Sequence, residues 1–238
     1  MTAQQQSALE HLARLTDVGR SGGDLWAQCA YDVNGTENAI LLFQMGVTDE
    51  DMKRFGLLPH WHYINLRETS VSDVGLKYLA NQENLRFLEI SETDVTSLNP
   101  IKNLRRLQDL RCDQLESLTD RKAIALGNFR ELRTLILNDT GIGDATLERL
   151  VGLNELQTLD LGFTRISDDA LRHVAALQNL ESLSLYYTQI TDDGLQHLHA
   201  LKTLRTIVVG ETKVTAKGKK AIKRAIPKLN VVESAILQ

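Results

Sequence analysis

Apolar residues along this chain follow a compound rhythm: two or three at alternating positions, a polar interval, then others spaced three apart, and the cycle begins again. LQTLDLGFTRISDDALRHVAAL starts at Leu156, LESLSLYYTQITDDGLQHLHAL at Leu180 and LRTIVVGETKVTAKGKKAI at Leu204, while LRTLILNDTGIGDATLERLVGL starts at Leu132. Each step is 24 residues, and WHYINLRETSVSDVGLKYLAN at Trp61 and LRFLEISETDVTSL at Leu85 keep the same interval. Between these blocks the period shifts, with 22 residues from Leu88 to Leu110 and 25 from Leu110 to Leu135. A fixed period of this size is the mark of a repeat architecture.

Each copy carries two elements. Alternation such as Thr158-Leu159-Asp160-Leu161 predicts a short strand with one buried face. Ser or Thr followed by Asp (Thr48-Asp49, Ser72-Asp73, Ser167-Asp168, Thr191-Asp192) predicts a helix start, the hydroxyl capping free amides and the carboxylate lying where the helix dipole favours it. Leu195 and Leu198 then face inward. No copy can bury that face alone, so the copies must stack. AILLFQMGVTDEDMKRF from Ala39 reads as a divergent first copy, and LNVVESAIL from Leu229 supplies a last strand. Ahead of them SALEHLARL predicts an amphipathic helix, LWAQCAY a strand and VNGTEN a hairpin turn. The expected organisation is a cap over residues 1–38 (helix plus β-hairpin strand), a solenoid over 39–233 with a basic capping helix at about 215–227, and a tail at 234–238.

The pattern L-x-x-L-x-L-x-x-T-x-I-[ST]-D-x-G-L-x-x-L over residues 39–233 resembles leucine-rich repeats. It is nearest the bacterial 24-residue type and is similar to the cysteine-containing repeats of F-box-type receptors, with Thr where those carry Cys or Asn; the Leu-Pro-rich pattern of an F-box is not found. The resemblance implies an α/β right-handed solenoid, a horseshoe with a concave parallel β-sheet and convex helices. It also implies that the Thr69, Thr93, Thr140, Thr164, Thr188 and Thr212 column satisfies backbone groups where strands bend outward. The sequence departs from the pattern at VTSLNPIKNL, residues 95–104, where Pro100 and the 22-residue step predict a copy without a regular helix.

No catalytic constellation is evident in the sequence. There is no G-x-x-x-x-G-K-[ST], no G-x-S-x-G and no H-E-x-x-H. His197 and His199 are two apart on a helix and diverge; His173 and His197, in matching positions of neighbouring copies, stand too far apart for one metal ion; His60 and His62 flank Trp61. Acid pairs such as Asp168-Asp169 and Asp192-Asp193 are explained by capping. The two cysteines, Cys29 and Cys112, have no metal-site spacing and read as small buried side chains. The expectation is a protein without catalysis or cofactor.

Composition is that of a globular chain, 42% hydrophobic and 24% charged. No apolar run reaches the length of a membrane span, and MTAQQQSALEHLARL lacks the basic end and apolar core of a secretory leader, so a cytoplasmic, monomeric protein is expected. Charge is unevenly placed. Between Lys213 and Asn230 lie seven basic residues and no acidic one, leaving 20 basic against 31 acidic residues elsewhere. That acidic body disfavours nucleic acid as a partner.

In leucine-rich repeats the concave sheet face is the usual recognition surface, and its residues are the x positions around L-x-L. One column runs Leu41, Asn65, Glu89, Arg111, Ile136, Asp160, Ser184, Val208; beside it run Phe43, Arg67, Ser91, Asp113, Asn138, Gly162, Tyr186 and Gly210. The rim column runs Glu68, Glu92, Gln114, Asp139, Phe163, Tyr187, Glu211. Phe163, Tyr186 and Tyr187 form an aromatic island on a chain only 5% aromatic. Two readings fit it: an interface core, or rings that merely stack on one another. Tyr63, Phe87 and Arg67 form a second cluster, which the cap could cover.

The resulting expectation is a binding module that contacts a protein partner through Phe163, Tyr186 and Tyr187, with Asp160, Arg111 and Glu89 setting charge complementarity. The alternative is an assembly or regulatory subunit whose basic helix (Lys217, Lys219, Lys220, Lys223, Arg224) docks on an acidic or phosphorylated partner. An enzyme is the third and least favoured reading.

Overall fold

A computed structural model describes residues 2–21, 28–30, 38–42 and 46–234. The strands join in one sheet in chain order: β1 (Gln28–Ala30), β2 (Asn38–Leu41), β3 (Trp61–Asn65), β4 (Phe87–Glu89), β5 (Asp109–Arg111), β6 (Thr134–Ile136), β7 (Thr158–Asp160), β8 (Ser182–Ser184), β9 (Thr206–Val208) and β10 (Asn230–Val232). β1 runs antiparallel to β2, and every later pair is parallel. On the other side lie α2 (Asp49–Phe55), α3 (Asp73–Leu76), α4 (Asp144–Leu150), α5 (Leu171–Val174), α6 (Asp192–His197) and α7 (Ala216–Ala225); α1 (Ala3–Ser21) packs on α2 at the amino end. This is the unclosed leucine-rich-repeat horseshoe that the resemblance implies.

The core is a column of leucines repeated along the axis. Leu88, Leu110, Leu135, Leu159 and Leu183 pair strand to strand and are fully buried, as are the helix residues Leu147, Leu171 and Leu195 that close over them. The irregular copy follows its sequence: around Pro100 only a 3-10 turn forms, at Asn99–Ile101, and the next copy also has a 3-10 segment, Ile124–Asn128, in place of an α-helix. The hairpin turn read in VNGTEN, the side chains of Phe43 and Cys29, and most of the tail lie outside the described residues. Cys112 is buried, and burial pushes its thiol well above the ordinary range.

Two side-chain ladders recur along the axis, one within each copy and one between neighbours. Each Thr of the predicted column donates its hydroxyl to the carbonyl three residues earlier, for example Thr69 to Leu66 at 2.7 Å, Thr164 to Leu161 at 2.6 Å and Thr188 to Leu185 at 2.7 Å. The second ladder was not anticipated. An Asp at the start of a convex segment reaches forward to the next copy's cap residue: Ser72 donates its amide (2.8 Å) and hydroxyl (2.6 Å) to Asp49, Thr191 does the same to Asp168, and Thr215 to Asp192. Asp73 takes Thr96, Asp144 takes Ser167, and Asp120 takes the amides of Gly143 and Thr146. Helix dipole and charge-assisted hydrogen bonds therefore act on the same carboxylate. The carboxylates leave no room opposite them, which is why Gly75, Gly194 and Gly218 stand there: a Cβ on any of the three would collide with the preceding copy's Asp.

Candidate functional site

The strand register reproduces the first of the concave columns residue for residue. Asn65 pairs with Glu89, Glu89 with Arg111, Arg111 with Ile136, Ile136 with Asp160, Asp160 with Ser184 and Ser184 with Val208. The face is not uniformly open, however. Ser184 and Val208 are buried, at 1% and 0% exposure, so at the carboxyl end this column is part of the packing.

The rim column has a distinct backbone. Glu68, Glu92, Gln114, Asp139, Phe163, Tyr187 and Glu211 all take positive φ, between 53° and 56°. There the chain leaves the strand while the residue's amide donates to the next copy, as Phe163 does to the Tyr186 carbonyl (2.9 Å) and Tyr187 to that of Gly210 (3.0 Å). Bulky aromatic residues are uncommon in this left-handed region, where the Cβ crowds the backbone. In the other copies the position carries Glu, Gln or Asp.

Among the described residues Phe163 and Tyr187 are nevertheless the aromatic side chains with most exposure, at 44% and 57%. Their rings stack with centroids 5.0 Å apart and planes 24° off parallel, and Tyr186 lies against Phe163 at 5.4 Å and 54°. Tyr186 is half-buried and is bracketed in its column by Gly162 and Gly210. A Cβ at Gly210 would collide first with the Glu233 backbone and would also stand 3.0 Å from Tyr186 Cε2, so the missing side chain admits the end of the next strand as well as the ring.

Nearer the amino end Tyr63 and Phe87 stack face to face at 3.8 Å, and the Arg111 guanidinium sits 5.4 Å from the Phe87 centroid while bonding Asp109 at 3.0 and 3.1 Å. Tyr63 and Phe87 are half-buried, and burial raises the Tyr63 hydroxyl above its usual range. Arg67 contacts Glu92, Glu68 at 3.4 Å and Asp113 at 3.9 Å. The sequence columns contain Glu92 and Asp113 but do not show them as partners of Arg67, from which they lie 25 and 46 residues on, and Asp109, two residues before Arg111, is a partner they do not contain.

Between the two aromatic groups lie three desolvated carboxylates. Burial pushes Glu89 up, opposed by hydrogen bonds from Ser91; burial likewise raises Asp113, opposed by Ser91, and Asp160, opposed by the Gly162 amide and Ser184. Glu89 and Asp160 share a geometry with Asn65 of the same column: each side chain accepts from the amide two residues on, at 3.0, 2.9 and 3.0 Å respectively. Glu89, only 5% exposed, thus satisfies a backbone donor where its strand ends.

The basic residues are apart from all of this, on α7. Lys217, Lys220, Lys223 and Arg224 are exposed, while Lys219 is half-buried and bonds Glu233 at 2.6 Å. Among the described residues no helix is long and apolar enough to cross a membrane.

The Leucine Rich repeat family model matches residues 176–198, the copy that contains Tyr186 and Tyr187. Among curated protein sequences none matches the chain. In three dimensions the chain is similar to internalin C2 from Listeria monocytogenes, with a TM-score of 0.66 and 22% identity over 82% of this chain and 79% of that one. It is also similar to a leucine-rich-repeat protein of Leptospira interrogans (TM-score 0.52, 15% identity, 80% of this chain and 58% of that one). A third similar structure is the plant peptide hormone receptor RGFR1 in complex with RGF2 (TM-score 0.54, 14% identity, 87% of this chain and 40% of the receptor).

Proposed function

We propose, from the premise that the chain is a leucine-rich-repeat protein, that it binds a protein partner through the carboxyl-terminal half of its concave face, centred on Phe163, Tyr186 and Tyr187. One observation carries this reading. Phe163 and Tyr187 hold exposed, stacked rings on a left-handed backbone that the other copies give to Glu, Gln or Asp. A bulky residue there costs on the order of 1–3 kcal/mol, and rings are large, rigid contact groups that lose little entropy on docking. The fold supports the coarser part of the proposal, since one structural relative is a receptor in complex with its peptide. The role of Arg67 and Arg111 is to set charge at the amino-terminal half of the face, with Tyr63 and Phe87 as a secondary contact.

The test is affinity capture from native lysate, followed by purified binding of whatever is recovered. The parent chain is compared with Tyr186→Ala/Tyr187→Ala and with Phe163→Asn, after matching their circular dichroism. Loss of about 2 kcal/mol or more of binding energy in either variant is expected for a hot spot, and capture should persist at high salt because the contact is apolar. Equal capture by all three would refute the aromatic surface.

A further inference from the structure

The concave face leaves the basic carboxyl-terminal end of the solenoid without a role. Among the described residues β10 is the last strand of the sheet. Asn230 donates to the Arg205 carbonyl at 2.8 Å and the Val232 carbonyl accepts from Val209 at 2.9 Å, so these residues turn their peptide groups toward β9. In a parallel ladder the intervening residue, Val231, presents its N–H and carbonyl to the opposite side, away from the sheet. Along that side runs a groove of about 440 Å³ lined by Lys219, Lys220, Lys223, Arg224, Val231 and Glu233.

We infer that this groove is a docking site for an extended acidic segment of a partner protein, added as a further strand along β10 with its carboxylates against the α7 lysines. Three features select that occupant. The stretch Lys213–Asn230 has seven basic residues and no acidic one, on a chain that is otherwise acidic. The groove already accommodates a carboxylate of the chain's own: Glu233 Oε1 meets Lys219 Nζ at 2.6 Å, and the Lys219 hydrogen bond and charge hold Glu233 below its usual range. Finally, lysines beside an open strand edge repel another basic edge, and that includes a second copy of this chain, while they attract an acidic strand. Main-chain pairing would supply affinity and the lysines specificity, as in other strand-addition complexes.

The probe is a fluorescein-labelled peptide of alternating Glu and Val, titrated into the full chain by fluorescence anisotropy. Binding is expected, with at least about tenfold weaker affinity for Lys220→Glu/Lys223→Glu, whose side chains are exposed and carry no packing. Val231→Pro removes the outward amide without breaking a bond to β9, and it should weaken binding similarly. Phe163→Asn should bind the peptide as the parent does, which separates this site from the concave one. The inference fails if the peptide does not bind, or if a version N-methylated at alternate residues binds equally, since charge alone would then suffice. It also fails if inorganic polyphosphate at matched charge displaces the peptide completely. A concentration-dependent dimer in sedimentation that Val231→Pro abolishes would overturn it too, by making a second copy the occupant.

Discussion

The aspartate ladder makes a sharp prediction about coupling between copies. Asp168 accepts the Thr191 amide at 2.8 Å and its hydroxyl at 2.6 Å, and a Cβ on Gly194 would stand 2.7 Å from Asp168 Cγ and 3.1 Å from its Cβ. Gly194 lies in the first turn of α6, where replacing Gly by Ala ordinarily gains about 0.5–1 kcal/mol. Here Gly194→Ala must push the carboxylate away, so overpacking and loss of its hydrogen bonds should outweigh that gain, with a net cost of about 1–2 kcal/mol. Asp168→Ala should cost about the same, because the Thr191 amide loses a charged acceptor while water reaches part of the site. In the double variant the carboxylate is gone, but the contact with the Cβ at position 168, 3.1 Å away, remains and offsets most of the helical gain. Its stability should be close to that of Asp168→Ala alone, a coupling of roughly 1.5 kcal/mol. Urea unfolding followed by far-ultraviolet circular dichroism measures the cycle. Amide exchange at Thr191 reports the local event if the stacked copies unfold without full cooperativity. Additivity within about 0.5 kcal/mol would refute the idea that the glycines exist to admit the aspartates.

Three further outcomes follow from the geometry. Thr164→Val removes the 2.6 Å bond to the Leu161 carbonyl and should cost about 1 kcal/mol in urea unfolding; no loss would mean that water or strand adjustment replaces the threonine ladder. Phe163→Asn puts a residue tolerant of left-handed backbone at φ 55° and should leave the melting temperature equal or higher while abolishing partner capture; a large fall would make the ring structural. Glu89, Asp113 and Asp160 all titrate above the usual carboxylate range, chiefly through burial, so the folded state holds these protons more tightly than the unfolded chain does. Their contribution to stability therefore falls as pH rises through the window from about 4 upward, and Glu89→Gln should flatten that part of the profile relative to the parent in unfolding midpoints measured upward from about pH 4; parallel profiles would argue that Glu89 is not desolvated.

What the sequence made legible is whatever recurs at the period. The offset of 24 identifies which residues share a column, and strand pairs such as Asp160 with Ser184 and rim positions such as Tyr187 follow from it directly. The threonine ladder was legible for the same reason, since its hydrogen bond closes within one copy. The aspartate ladder was not. Within a single copy, Asp168 looks complete as a dipole partner at a helix start, whereas its acceptor role is toward Thr191, 23 residues on, and depends on how far one copy is displaced from the next. Burial on the inner face was equally hidden. Ser184 and Val208 occupy the same column as half-buried Arg111, yet they are sealed, because side-chain crowding across neighbouring strands is not encoded in periodicity. Nor could period alone show that Glu89 and Asp160 spend their carboxylates on the amides of Ser91 and Gly162.

These contacts bear on why a solenoid of short elements can present a fixed surface. Strands of three residues and helices as short as four have little stability of their own, and order must come from contacts between copies. The aspartates tie each helix start to the next, and the rim amides tie each strand end to the next, as Phe163 does through the Tyr186 carbonyl. The aromatic group spans two such tied copies, with Phe163 from one and Tyr186 and Tyr187 from the other. Its geometry is therefore fixed by the same inter-copy bonds that stabilise the fold. Loosening the ladder beneath it, as in Asp168→Ala, should raise the entropic cost of docking even though Asp168 belongs to a helix start rather than to the three rings.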